Sequence, residues 1–427
     1  MRKSNLSNYT HSLWGTVPKN WKWYRINEIC TISSGGTPSR KEKDNFKGNI
    51  LWVTSGELKN RTIEDTLEKI SDGAVEEFNL TLYDPETVII AIYGLEAEGV
   101  RGTASILKKK STISQACMAF ANFQGLSNVY FYYWYLNYGS IIGKRYAQGT
   151  KQQNLSQDVV ATIPICCPPL PEQQKIAAIL STQDKVIELK EKLLAQKQQQ
   201  KKYLMQQLLT EKKRLPGFNE KWKVEKFSEI FDFLSTNTLS RDNLFEGVGA
   251  IQNIHYGDIL TKFDEVIDLD CVCLPSIKES AIPNNCATVK SGDIIIADTA
   301  EDLTAGKAVE VQNIGDRVIY SGLHTMLCRP KEQLFSDGWL GFYINSEAYH
   351  KQLIPYIAGV KVMAISKSNI VKTYIAIPSK AEQAAIVEIL STADHEIDLL
   401  QKSIEAEKQK KKALMQLLLT GKVSVRI

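Results

Sequence analysis

Only five histidines and eight cysteines are spread over the 427 residues, and no two cysteines stand in a C-x-x-C pair. A structural zinc or a disulfide framework needs ligands at regular spacing, so both are excluded in favour of reduced, mostly buried thiols in a cytoplasmic protein. Long apolar runs are missing too. No stretch of eighteen such residues could cross a bilayer, and the opening MRKSNLSNYTHSLWG has no apolar core of a secretory signal. Charge of one sign is scarce: 52 basic residues face 48 acidic ones, a net of +4. That balance does not announce nucleic acid, but it permits a basic face offset by acidic residues elsewhere.

Catalytic signatures are equally sparse. There is no G-x-G-x-x-G after a strand, no Walker A loop, no G-x-S-x-G elbow, and no Asp- or Asn-Pro-Pro-Tyr segment. His395-Glu396 lacks the second histidine of a zinc-protease helix. The other histidines (His11, His255, His324, His350) have no companion pattern, and His324 in SGLHTM reads as structural. Glu301-Asp302 reads as loop solvation, not as a nuclease metal site. No covalent chemistry, metal or cofactor is expected of this chain itself.

What the chain has is a repeat. EQQKIAAILST at 172–182 recurs as EQAAIVEILST at 382–392, identical at seven of eleven positions, and LMQQLLT at 204–210 recurs as LMQLLLT at 414–420. Both pairs are offset by 210 residues, without a gap between them. Weaker echoes continue outside: WKWYRINEI (21–29) with WKVEKFSEI (222–230), VIIA (88–91) with IIIA (294–297), and AQGTKQQNLS (147–156) with IAGVKVMAIS (357–366). The chain reads as a tandem duplication in which the helices are alike and the globular parts differ. A length of 427 residues, with 43% hydrophobic and 23% charged content, suits two such folded parts.

The expected fold is α+β: two mixed globular domains separated by two long helices packed as an antiparallel coiled coil, related by an internal pseudo-two-fold repeat. The expected boundaries are 1–168, 169–213, 214–376 and 377–427. Pro171 suits a first helical turn, Ser379 with Glu382 has capping-box spacing, and Thr182 and Thr392 precede Asp184 and Asp394. Each arm is therefore read as a short helix, a kink near the threonine, and a long helix. The apolar seam is Ile176, Ile179, Leu180, Ile187, Leu194, Leu204 and Leu208 in the first copy. In the second it is Ile386, Ile389, Leu390, Ile397, Leu400, Leu414 and Leu418. A helix of roughly 28 residues spans about 42 Å, slightly more than the one turn of B-DNA, about 34 Å, between half-sites. The lysine-rich stretches that interrupt the seam read as a solvated face, or as a surface for a partner's helices or DNA phosphates.

Short β-rich runs are expected at Ile50–Thr54, Thr87–Tyr93, Ile163–Cys167, Asp293–Asp298, Val318–Leu327 and Tyr374–Ile377. Loops that join glycine to basic and amide residues recur in both halves: 33–43, 94–103, 147–154, 299–307 and 358–362. Such side chains read phosphates and base edges. Those loops, together with Arg241, supply the candidate DNA contacts: Arg40, Lys41, Lys43, Arg101, Lys151, Gln152, Gln153, Asn154, Arg241, Lys307 and Lys361.

GGTPSR (35–40), WVTSGELKN (52–60), PLPEQQKIAAIL (169–180) and the closing LLLTGKVSVRI together resemble the specificity subunit of type I restriction–modification systems. The likeness covers essentially the whole chain, though PSKAEQAA at 378–385 departs from the fuller PLPEQQK wording. It implies two target-recognition domains that each read one half of a split, asymmetric double-stranded DNA target. It also implies helices that set the spacer and dock two modification (methyltransferase) subunits, and restriction subunits that join through them. S-adenosylmethionine, ATP and Mg are then expected on those partners. The competing expectations are a coiled-coil adaptor or orphan copy that sequesters modification subunits without reading DNA, and, against the missing motifs, a nuclease or methyltransferase.

Overall fold

The computed structural model describes residues 17–425 apart from 98, 150 and 248. It forms two compact units. Unit one takes in the chain up to Glu191 and again from Lys402, and unit two is Lys192–Gln401.

Each unit is organised around a strand whose sequence is apolar without alternation. In β3 (Val88–Ala91) all four residues are fully buried, which needs cover on both faces. Val88 and Ile90 join one core cluster with the aromatic helix Asn128–Tyr146, while Ile89 and Ala91 join a second cluster on the opposite face. The sheet runs in the order β1-β5-β3-β4-β2, with β1 (Thr31–Ser34), β2 (Thr62–Ile63), β4 (Ala104–Leu107) and β5 (Cys117–Ala121). Neighbours are antiparallel except β2 and β4, which pair in parallel.

Unit two repeats this plan. Its strands are β6 (Phe231–Leu234), β7 (Val266–Asp268), β8 (Ile294–Ala297), β9 (Ala308–Gln312) and β10 (Thr325–Pro330), ordered β6-β10-β8-β9-β7. The edge pair β7 and β9 is again the parallel one. Ile294 and Ile296 face one core, Ile295 and Ala297 the other. The run Val318–Leu327, expected as one strand, is two. Val318–Ser321 belongs to a smaller sheet beside Ile251–Ile254, and the chain then turns at Gly322–His324 to enter β10. His324 makes this turn at φ +53°, a left-handed conformation uncommon for a residue with a side chain.

The two long helices are α1 (Leu170–Leu208) and α2 (Lys380–Leu418), 39 residues each. The kink expected near Thr182 and Thr392 is absent. Thr182 Oγ1 donates back to the Ala178 carbonyl at 2.9 Å and Thr392 Oγ1 to that of Glu388 at 2.7 Å, so each hydroxyl serves the turn before it and caps nothing. The start of each helix is pinned by its glutamine. Gln173 accepts the Ser127 N–H at 2.8 Å and donates to the Gly125 and Pro168 carbonyls. Gln383 accepts the Ser336 N–H at 2.8 Å and donates to the Leu334 and Pro378 carbonyls.

The helix ends belong to the globular cores. In unit one, Ile176 and Leu180 of α1 share a core cluster with Met415, Leu418 and Leu419. In unit two, Ile386 and Leu390 of α2 share one with Leu208 and Leu209.

Candidate nucleic-acid interface

Beyond the end of each central strand stands a hairpin. In unit one, Gln148 and Asn154 exchange backbone hydrogen bonds of 2.9 Å each. In unit two, Ala358 and Ala364 do the same at 3.1 and 2.9 Å. Gly149 and Gly359 occupy the second position, where an added Cβ would lie 2.0 Å from the Gln152 carbonyl oxygen and 1.9 Å from that of Val362. Only glycine fits so close to backbone.

Both hairpins are tied down. Leu155 N–H donates to the Ile92 carbonyl at 3.0 Å, and Ile365 N–H to that of Asp298 at 2.8 Å. In unit one the Glu96 carboxylate also accepts the Gln153 N–H at 2.9 Å, which holds its carboxyl below the usual range. In unit two the hairpin adds a short ladder, Thr299 to Ala364 and Ala300 to Met363.

The expected DNA contacts separate into two groups. Lys41, Lys43, Lys151, Gln152 and Lys361 are exposed, and Gln153 and Asn154 are half-buried at the hairpin base. The arginines and Lys307 are occupied within their own units. Arg40 forms a two-pronged pair with Glu68 at 2.9 and 2.8 Å, over the Phe46 ring. Arg101 donates to the Glu96 carbonyl at 3.3 Å and lies across the Gly143 backbone. Arg241 grips Asp258 with two bonds of 2.8 and 3.0 Å. Burial alone would raise the Asp258 carboxyl, but Arg241 and Lys262 hold it below its ordinary value. Lys307 turns inward, where its ammonium reaches the carbonyls of Leu260 and Phe263, and burial lowers its pKa.

Sequence reasoning passed over one group on this side of unit two. His324 Nδ1 lies 3.2 Å from Asp298 Oδ1, and Tyr256 meets its ring edge-on with centroids 5.3 Å apart. The unusual backbone at His324 is the only local sign of it, and φ cannot be read from sequence.

Residues 18–198 and 219–408 each match the type I restriction modification DNA specificity domain. The chain belongs to that family. It carries two copies of the DNA specificity domain and functions as the DNA-specificity subunit of a type I restriction–modification system. It is 24% identical over 430 residues to the type I restriction enzyme MjaVIII specificity subunit of Methanocaldococcus jannaschii, covering 96% of this chain and 94% of that protein. The fold is similar to the S subunit structure from M. genitalium, with a TM-score of 0.55 at 14% identity over 93% of this chain and 96% of that one. It is also similar to a chain from a type I restriction–modification assembly study, with a TM-score of 0.59 at 16% identity over 96% and 100%. Among the described residues no helix is long and apolar enough to cross a membrane.

The helix positions of this specificity subunit fall into two classes. Ile176, Leu180, Ile187, Leu208, Ile386, Leu390 and Leu418 are buried. Ile179, Leu194, Leu204, Ile389, Ile397, Leu400 and Leu414 are half-buried. The lysine-rich stretches are neither simply solvated nor simply free. Lys190 pairs with Glu407 at 3.0 Å and Lys411 with Asp184 at 2.6 Å in unit one. Lys197 pairs with Glu396 at 2.6 Å and Lys201 with Asp394 at 2.5 Å in unit two. Within each unit these pairs join α1 to α2, with residue numbers rising along one helix as they fall along the other.

Proposed function

We propose that this subunit reads a split, asymmetric DNA target, one unit to each half, and docks two modification subunits, with restriction subunits joining through them. The four-part division at residues 168, 213 and 376 and the antiparallel coiled coil of α1 with α2 belong to the same reading. The observation that carries it is the combination of a shared backbone plan with unlike exposed side chains. The two sheets have the same strand order, yet the exposed side chain that follows the shared lysine is Gln152 on one hairpin and Val362 on the other. Unlike side chains on like frames suit two unlike half-sites. The helix pairs repeat the Asp184–Lys411 and Asp394–Lys201 contacts, which suits two equivalent seats for one partner.

In this reading the chain contributes recognition and no chemistry. S-adenosylmethionine, ATP and Mg act on the partner subunits, in the cytoplasm where the DNA is. The exposed cations Lys41, Lys43, Lys151 and Lys361, with the amides Gln152, Gln153 and Asn154, are its contacts. Arg40, Arg101, Arg241 and Lys307 brace their own units, with the Arg40 and Arg241 side chains still at the surface.

The test is to express the chain with its cognate modification subunit and map methylated adenines. A bipartite motif with one modified adenine in each half is expected. Methylation without sequence preference would sink the reading and leave the adaptor, which assembles with modification subunits but selects nothing.

A further inference from the structure

We propose that the hairpins 148–154 and 358–364 are a repeated phosphate grip, in which Lys151 and Lys361 each take one DNA backbone phosphate. The residues around them, which differ between the hairpins, are left to read bases. The proposal rests on the reading that each unit faces one half-site.

The argument starts from what two hairpins with the same construction share. Aligned at the offset of 210, QGTKQQN and AGVKVMA agree at two of seven positions, the glycine and the lysine. The glycine is explained by geometry, since any Cβ there collides with the carbonyl three residues on. The lysine has no such explanation. Lys151 and Lys361 are exposed, and neither forms an ion pair among the described residues.

Two heads that read different bases have one ligand in common, the phosphate backbone, which looks the same in any half-site. A side chain kept at the same place on both therefore suits phosphate, and side chains that differ suit base edges. Lysine is the right type for this task. Its ammonium is a point charge with freely oriented donors, whereas the planar arginine fork, which Arg40 and Arg241 turn to Glu68 and Asp258, suits two-pronged partners. The base of each hairpin is also held firmly. Bonds to Ile92 and Glu96 in unit one, and to Asp298 and the Thr299–Ala300 strand in unit two, fix each hairpin to the end of its central strand. A cation carried on a fixed hairpin loses less freedom on binding than one on a loose loop.

The test uses the chain assembled with its modification subunits, and compares wild type with Lys151→Ala, Lys361→Ala, the double variant and the two arginine replacements. DNA binding is measured on the mapped target over a range of salt, and the methylated motif is mapped for each complex. Each alanine variant should weaken binding several-fold. It should also flatten the slope of log K against log salt by about 0.9, the value for one released counterion site. The arginine variants should restore the slope, and the motif should stay the same throughout.

Unchanged affinity and slope would overturn the grip, and so would a motif altered in one half, which would make the lysine a base reader. Failure of the variants to bind modification subunits would overturn it as well, and assign the hairpin to a protein partner. If the wild-type complex itself shows no sequence preference, it is the split-target reading that fails. If wild type selects its target and the variants match it, only the grip fails.

Discussion

Lys411 Nζ lies 2.6 Å from Asp184 Oδ1, and the Tyr133 hydroxyl donates to the other oxygen of that carboxylate at 2.5 Å. The matching site in unit two is built differently. Lys201 stands 2.5 Å from Asp394, but its second neighbour is another acid, Glu265, at 2.7 Å. One lysine thus faces one carboxylate in unit one and two in unit two, with Lys201 only 12% exposed. Lys201→Met leaves two half-buried acids with no cation, and should lower the stability of its unit by roughly 3–5 kcal/mol. Lys411→Met strands only Asp184, which keeps its tyrosine donor, and should cost about 1–3 kcal/mol. Denaturant unfolding of the two variants measures the difference. Equal losses would show that Glu265 does not depend on Lys201.

The same chemistry sets a pH dependence. Burial pushes the Glu310 carboxyl from 4.5 up to about 7, even though it accepts the N–H groups of Gly338 and Gly341 at 2.6 and 2.9 Å. Burial likewise pushes Asp394 from 3.8 to about 6, against the pull of Lys201. Both native values lie above the unfolded ones, so between these limits the folded chain binds more protons than the unfolded chain. Their contribution to stability is therefore complete below about pH 4 and is lost as pH rises through 6 and then 7. Unfolding midpoints should fall between pH 5 and 8. Glu310→Gln should flatten that fall while adding a constant loss of about 1–3 kcal/mol, because an amide nitrogen now faces a backbone donor. Wild-type and variant curves that run parallel would remove Glu310 from the account.

Periodicity and repetition made the large features legible. The offset of 210 located both long helices, and the unbroken apolar runs at 88–91 and 294–297 located the centre of each sheet, because a strand buried on both faces has no polar alternation. The sequence was less legible where a contact reaches far along the chain. The acids that Arg40 and Arg241 pair with stand 28 and 17 residues away, too far for local spacing to reveal. Thr182 read as a cap because the next turn holds Asp184, whose carboxylate in fact serves Lys411 on the other helix. The break at Gly322–His324 was hidden inside a run of strand-forming residues, and there the deciding property is which sheet each side joins.

The repeated glutamine at each helix start should be among the most sensitive positions outside the hydrophobic core. Gln173 and Gln383 are 1% and 0% exposed, and each satisfies one backbone N–H and two carbonyls. Gln173→Ala should cost on the order of 2–4 kcal/mol, since three backbone groups, among them the buried Pro168 carbonyl, lose their partner. Gln173→Glu should be worse, because it turns the donor that faces two carbonyls into an acceptor. A glutamate variant more stable than the alanine variant would mean that water replaces the amide. Gln383 should give the same order in unit two.

The hairpin glycines allow shape to be tested apart from charge. At Gly149 a Cβ would meet the Gln152 carbonyl oxygen at 2.0 Å, and at Gly359 that of Val362 at 1.9 Å, so alanine forces each tip open. Gly217 also has a positive φ of 91° but nothing within 4 Å of its Cβ position, so alanine there carries backbone strain without a clash. Gly217→Ala should cost about 1 kcal/mol of stability and leave DNA binding alone. Gly149→Ala and Gly359→Ala should lower DNA affinity while both lysines remain, with a melting temperature within a few degrees of wild type because each tip is exposed. Hydrogen exchange at residues 151–154 and 361–364 should quicken in the same variants. Affinity unchanged despite faster exchange would mean that the lysines reach phosphate from a loose loop, and that the fixed hairpin serves another purpose.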